Sequence, residues 1–329
     1  DDTASKITAW AWIKNRDTTD NHILIDRVRG VGNDIQSNDN SIQVFNANTV
    51  QRFLQRGVQI GSDVEVNTAN ESYVLWQWLL GDSATTGSTT SPAGSLASTS
   101  IVADADHFSV VSYTGSGADA TVGHGLSAAP TMVLIKPLDA AANWLAWHEG
   151  LTSAQYFLNL NTNGVEFDNG ASGYFKGTAP NATVITMNGS TYNVSAEDFI
   201  AYCFRSVPGV CKVGSYTGNG SATAPPYVSV GFKPSWVMIK NAAVARDWVI
   251  VDTARTPINV AEEFLFPNLN IAEAARGTAS GSDYAIDVLA DGFLPYTADS
   301  AINGNGNTHV YLAMADIGGN GTLPPVYGR

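Results

Sequence analysis

"APTMVLIK" (129–136) is a proline followed by an apolar run that closes on a lysine, and the chain writes it again as "KPSWVMIK" (233–240). Both runs are apolar at odd and at even positions, so a strand built from either carries hydrophobic side chains on both faces. That is the pattern of a strand inside a sheet that is covered on both sides. A third version, "TAWAWIK" (8–14), stands near the start. Three versions make self-similarity the first property to test.

Working outward, twelve residues beyond the closing lysines stand Asp26, His148 and Asp252, and the two aspartates open Asp-x-x-Arg pairs, Asp26 with Arg29 and Asp252 with Arg255. Upstream of the second and third runs the pentapeptide "YTGSG" (113–117) returns as "YTGNG" (216–220). Downstream, "FLQRGVQIGSDVEVN" (53–67) and "VLADGFLPYTADSAIN" (288–303) share a Gly-apolar step that the middle of the chain lacks, and the apolar strands "YVLWQW", "FIAYCF" and "HVYLAM" close each interval. The reading is a threefold internal repeat of β-sandwich units: 1–81, 107–210, and 211–329 with an extended C-terminal tail. Residues 82–106, rich in Gly, Ser and Thr, read as a linker. The first unit lacks the Tyr-Thr-Gly strand. An upstream segment of a longer or processed product is expected to supply it, because otherwise a raw sheet edge is left at Trp10 and Trp12. Units two and three, with no spacer between them, are expected to pack as a fixed pair, and the first to be tethered more loosely.

Short segments rich in Val, Ile, Thr, Tyr and Trp, bounded by Gly, Asn or Pro, give an all-β fold of tandem sandwiches, jelly-roll or lectin-like, with few short helices. In "YVLWQW", Val74, Trp76 and Trp78 share the face that goes to the core. A helical turn or two is expected within 259–276, where Ala and Glu accumulate around Pro267. The net charge of −13 is spread along the chain with no basic segment, which argues against a nucleic-acid partner. No apolar run approaches the length of a membrane span. Cys203 and Cys211 flank the junction of units two and three, leaving a disulfide and two buried thiols both open.

Chemistry is sparse. The five histidines show no metal-ligand spacing. Glycoside hydrolysis needs two carboxylates within about 5–10 Å, and Glu149 with Glu166 or Asp168 is the pair on offer. The other units have no equivalent. The Asp-x-x-Arg pairs read as structural ion pairs that recur because the fold recurs. The loops "SNDNS" (37–41), "IGSDVEVN" (60–67) and "NGNGN" (303–307) carry oxygen ligands of the kind calcium takes, yet solvated turns explain them as well. No other cofactor is expected. Trp144 and Trp147 are the tryptophans placed to reach a surface and stack on a sugar ring.

As a set, "FSVVSYTGSG", "VGHGLSAAPTMVLIK", "DWVIVDTARTP" and "NGNGNTHVYLAMAD" resemble the repeats of a domain of unknown function found in structural proteins of tailed bacteriophages of aquatic bacteria and cyanobacteria. That family is similar to concanavalin-like and laminin-G-like sandwiches. The resemblance implies a virion-surface protein with no catalytic residue, such as a tail fibre, homotrimeric and contacting host-surface glycan. The alternative is a head-decoration or other assembly subunit that binds only virion proteins. A glycan-degrading enzyme is a third reading, and it requires the carboxylate pair.

Overall fold

The structure, a computed structural model, describes residues 7–79, 89–91, 93–103, 105–277 and 283–316. The expected tail from 317 onward lies outside the described residues. The fold is all-β, with two four-residue helices, Val64–Asn67 and Ser300–Asn303. Three antiparallel sheets carry it. In the first the strand order is Val44–Phe45, Asn33–Gln36, Ile23–Asp26, Thr8–Asn15, Tyr73–Leu79. The second runs Phe167–Asp168, Tyr156–Asn159, Leu145–His148, Met132–Pro137, Asp198–Phe204, Phe108–Thr114, Ser98–Val102, Thr89–Ser91. The third runs Cys211–Thr217, Thr308–Ala315, Pro234–Asn241, Val249–Asp252.

The two-faced runs lie inside these sheets, and their side chains alternate between two cores. Trp10 and Trp12, Met132 and Leu134, Trp236 and Met238 all enter one core that the three sheets share. Their neighbours Ile13, Val133 with Ile135, and Val237 with Ile239 enter three separate outer cores. Each outer core is roofed by a small sheet: Val50–Leu54 with Gly57–Ile60, Ala120–Gly123 with Val184–Met187, and Val228–Ser229 with Gly292–Pro295 and Ile286–Leu289. The layers are therefore sheet on sheet, in sandwich fashion. The twelve-residue interval is a hairpin register. Trp10 stands opposite Asp26, Met132 opposite His148, and Trp236 opposite Asp252.

The structure corrects several expectations. The first segment is not loosely tethered: Trp10 stacks on Tyr202 with centroids 4.5 Å apart, and Trp78 meets Trp236 at 5.9 Å, so its tryptophans are the centre of the shared core. The strand holding Trp10 and Trp12 is no raw edge, because Ile23–Asp26 and Tyr73–Leu79 pair with it on either side. Part of the expected linker is strand. Ser98–Val102 pairs with Phe108–Thr114, and the buried Ser98 hydroxyl donates to Gly123 O at 2.8 Å; a Gly/Ser-rich composition reads as flexible only where no sheet edge is available to pair with it. The segment 259–276 contains no helix. Leu265 bridges Ile250 instead, and the bulky side chains of Phe264, Leu265 and Phe266 are drawn into buried positions that a helix would not align.

Candidate functional site

The Asp-x-x-Arg pairs lie at the seams between sheets. Asp26 accepts from Arg29 Nε at 2.5 Å and from the Tyr202 hydroxyl of the second sheet at 2.8 Å. Asp252 accepts from Arg255 Nε at 2.6 Å and from Trp76 Nε1 of the first sheet at 3.0 Å. Both guanidinium groups are buried, and each also donates to a strand carbonyl, Leu24 O or Ile250 O, so the ion pairs are fully hydrogen-bonded. His148 takes the same place without a charge. Its Nδ1 accepts from Gly150 N, which leaves Nε2 to donate to Tyr311 O of the third sheet at 3.2 Å. Burial holds this imidazole neutral, with its pKa lowered to about 4. First sheet to second, second to third and third to first, the seams close a ring.

A second set of seam contacts runs the opposite way round, and its spacing too is present in the sequence. Eight residues beyond each lysine stand His22, Trp144 and Trp248. His22 Nε2 reaches Phe266 O at 2.9 Å, Trp144 Nε1 donates to Gln36 O at 2.7 Å, and Trp248 Nε1 donates to Asn159 O at 3.0 Å. The lysines are buried as well. Lys136 Nζ donates to Asn40 O and Ala142 O, and Lys240 Nζ to Asn163 O and Asn241 O. Burial lowers the pKa of Lys14, Lys136 and Lys240 to about 8 each.

Trp144 and Trp147, the expected glycan contacts, are core residues, 0% and 4% exposed. Alternation sends one to the shared core and the other to the outer core of the second sheet. Among the described residues, the aromatics that reach the surface include Phe45 and Tyr227. Two of the three candidate acids are engaged in turns: Glu166 accepts from Thr152 N and Oγ1, and Asp168 from Gly170 N. Burial raises the pKa of Glu149. The oxygen-rich loops use their own ligands. Asp39 accepts from Ser41 N, and Asp63 caps the Val64–Asn67 helix. Among the described residues no group of three or more His, Cys, Asp or Glu is placed to hold a metal ion, and no helix is long and apolar enough to cross a membrane. Cys203 and Cys211 are both buried free thiols.

A cavity of about 460 Å³ opens where the first sheet meets the third. Its walls include Leu75 to Leu79, His107, Val210, Trp236, Asp252 and Met314. Trp236 meets Trp76 at 6.2 Å and Trp78 at 5.9 Å, each edge to face. The Arg255 guanidinium lies over the Trp76 ring, 5.7 Å from its centroid. Asp252 is thus already held by a cation and an indole. His107 is kept neutral by burial, with its pKa lowered to about 4. Aromatic walls and a neutralised carboxylate suit the binding of an apolar extended group better than proton transfer.

The fold and site define an all-β protein of three sheets around one aromatic core, with a cavity at a sheet edge. A family model described as a domain of unknown function (DUF7483) matches residues 3–317, and the chain belongs to that family. No curated protein and no solved structure matches.

Proposed function

We propose that the protein is a non-enzymatic structural subunit of a tailed-phage virion, mounted on the particle surface in an appendage such as a tail fibre and assembled as a homotrimer. We read its three sheets as copies of one ancestral unit, on the strength of the shared hairpin register. One observation supports the structural role most. The chain spends its buried charges and indoles on holding sheet to sheet, as Asp26, Arg29 and Tyr202 do, and both acids that would pair with Glu149 in hydrolysis, Glu166 and Asp168, are bound into turns. Host-surface glycan contact, in this reading, passes to exposed aromatics such as Phe45 and Tyr227. Burial of Trp144 and Trp147 favours the second reading, an assembly subunit whose partners are other virion proteins.

Cryo-electron microscopy of the intact particle tests both. Density at a protruding tip supports attachment, and a glycan array with Phe45→Ala and Tyr227→Ala variants follows. Density on the head lattice or wrapped around the tail retires attachment in favour of assembly, and absence from the particle overturns both. Native mass measurement of the purified chain tests the trimer.

A further inference from the structure

A smaller pocket, of about 310 Å³, lies where the first sheet meets the second. On the second sheet's side, three neighbouring strands change from apolar to polar at the same level. Phe108 and Val110 enter the shared core, and alternation continues their row as Ser112 and Thr114. The row of Ile200 ends in Asp198, and that of Ile101, which packs beside Ala9, in Thr99. Register sets these side by side, Thr99 opposite Ser112 and Thr114 opposite Asp198. Asp198 Oδ1 accepts from the Thr114 hydroxyl at 2.7 Å. The half-buried hydroxyls of Thr99 and Ser112 bond to no other side chain or carbonyl among the described residues. Val28, Arg29 and Gln43 form the facing wall. Arg29 spends all five of its N–H groups within the chain, on Asp26, Asn33 O, Gln43 Oε1, Leu24 O and the Tyr202 hydroxyl. It holds the wall and has no donor left. Its contact with Gln43 Oε1 assigns Nε2 as the donor of that amide, and the one partner of Nε2, Asn33 Oδ1, is a long 3.4 Å away. The counterpart seam differs. The third sheet ends at Cys211–Thr217, with no strand among the described residues in the place of Ser98–Val102. There Gly150, the equivalent of Val28, lies so near that a Cβ on it would stand 2.9 Å from Ser215 Cβ. The pocket thus belongs to the seam that carries the extra strand, and Ala97 and Thr99 line it.

We propose that this pocket binds a neutral sugar. The groups left to a ligand are two hydroxyls, an amide N–H and a carboxylate oxygen, and a mixture of donors and acceptors suits sugar hydroxyls, each of which does both. Val28 and Leu138 supply apolar surface for the C–H side of a ring. An anion fits poorly. Arg29, the only cation among the lining residues, is fully paired, whereas Asp198 is negative and receives Asp139 as a neighbour, whose Oδ2 accepts from Asp198 N at 2.7 Å. Small-molecule pockets run upward from about 300 Å³, so what sits inside is a single sugar or the end of a chain. This site rests on the host-glycan reading for its use and adds to that reading a place besides the exposed aromatics. Phe45 stands two residues beyond Gln43, about 7 Å along extended backbone.

Titrating the chain with D-glucose, D-galactose, D-mannose and N-acetyl-D-glucosamine tests the site, with D-glucuronate as the anionic control. Each is taken to about 20 mM, enough to saturate a millimolar site, and amide shifts in nuclear magnetic resonance read where it binds. Expected are saturable shifts at Gln43, Thr99, Ser112 and Asp198 with at least one neutral sugar, and binding of glucuronate weaker by about tenfold or more. Thr99→Val and Ser112→Ala, which delete hydroxyls that bond to nothing in the chain, should each weaken that sugar by about tenfold and leave the thermal transition in place. No saturable shift with any of the four neutral sugars would overturn the proposal, as would glucuronate binding as tightly as they do, or unchanged affinity in both variants. Shifts confined to the surroundings of Phe45 or Tyr227 would overturn it too, while leaving the glycan reading standing. Binding in the pocket by a chain that microscopy places on the head lattice would do the reverse, retiring attachment and keeping the site.

Discussion

Gly115 and Gly218 show what the repeated pentapeptide is for. A Cβ at Gly115 would stand 2.1 Å from Val194 O, and one at Gly218 would stand 2.4 Å from Gly304 O. Two residues on, Gly117 and Gly220 have φ of +71° and +67°. The first glycine thus serves close approach and the second a left-handed backbone. The neighbouring contacts match: Tyr113 donates to Tyr192 O and Tyr216 to Ile302 O, while Asn193 Oδ1 and Asn303 Oδ1 accept from Ser116 N and Asn219 N. Gly220→Ala should cost about 1–2 kcal/mol, the penalty of an L residue in that region. Gly218→Ala, which drives a methyl group into a carbonyl, should cost more, about 2–3 kcal/mol. Urea unfolding of the two variants checks the order. At the seams, Asp26→Asn strands a buried guanidinium and should cost about 3–5 kcal/mol. Asp26→Asn combined with Arg29→Met should cost less than the two single changes added together, as a double-mutant cycle would read.

Strands were legible because alternation is local. The two-faced runs, the face holding Val74, Trp76 and Trp78, and the constant interval that puts Asp26, His148 and Asp252 opposite the third or fourth residue of each run all lie within short stretches of chain. What a face packs against is not local, and Trp144 illustrates it. Its indole satisfies Gln36 O, more than a hundred residues away, so a residue flanked by polar loops looked like a surface residue and is a seam. Ser98 and Ser100 are a different case: their ladder with Phe108–Thr114 is a local hairpin, and the Gly/Ser/Thr composition that reads as linker conceals it. The cavity was illegible too, since its walls come from all three segments. The twelve-residue spacing of Asp26, His148 and Asp252 marks one set of seams, and the eight-residue spacing of His22, Trp144 and Trp248 marks the other. Trp144→Phe and Trp248→Phe, which keep an aromatic ring but delete the donor and part of the indole, should each lose about 1–3 kcal/mol through the unsatisfied carbonyl and more through the space left behind. Faster amide exchange confined to the affected seam, together with a near-native circular dichroism spectrum, is the expected signature.

With one core common to all three sheets, no sheet keeps its inner face covered when another leaves, so thermal unfolding should be a single cooperative transition. Calorimetry showing separate transitions for the three segments would contradict this. Acid should weaken the fold. Burial lowers the pKa of all five histidines, to about 3 for His22 and about 4 for His107 and His148, so between pH 6.5 and 4 the unfolded chain takes up protons that the native chain refuses. Stability therefore falls as pH falls through that window. Asp34, raised to about 7 by burial, works in the opposite sense, since the native chain holds its proton while the unfolded chain loses it down to about 3.8. Glu65 and Glu149, also raised, act in the same direction as Asp34. The histidines outnumber them, so urea midpoints at pH 7, 6 and 5 should decline in that order, and His148→Gln should flatten the decline. The closed ring also fixes a number. An open stack of sheets can lengthen by duplication or shorten by deletion one unit at a time, but three sides around a shared interior admit no fourth and survive no subtraction. Family members should therefore differ in length in the outer hairpins and their connections, while the count of sides, and with it the diameter of the body, stays constant.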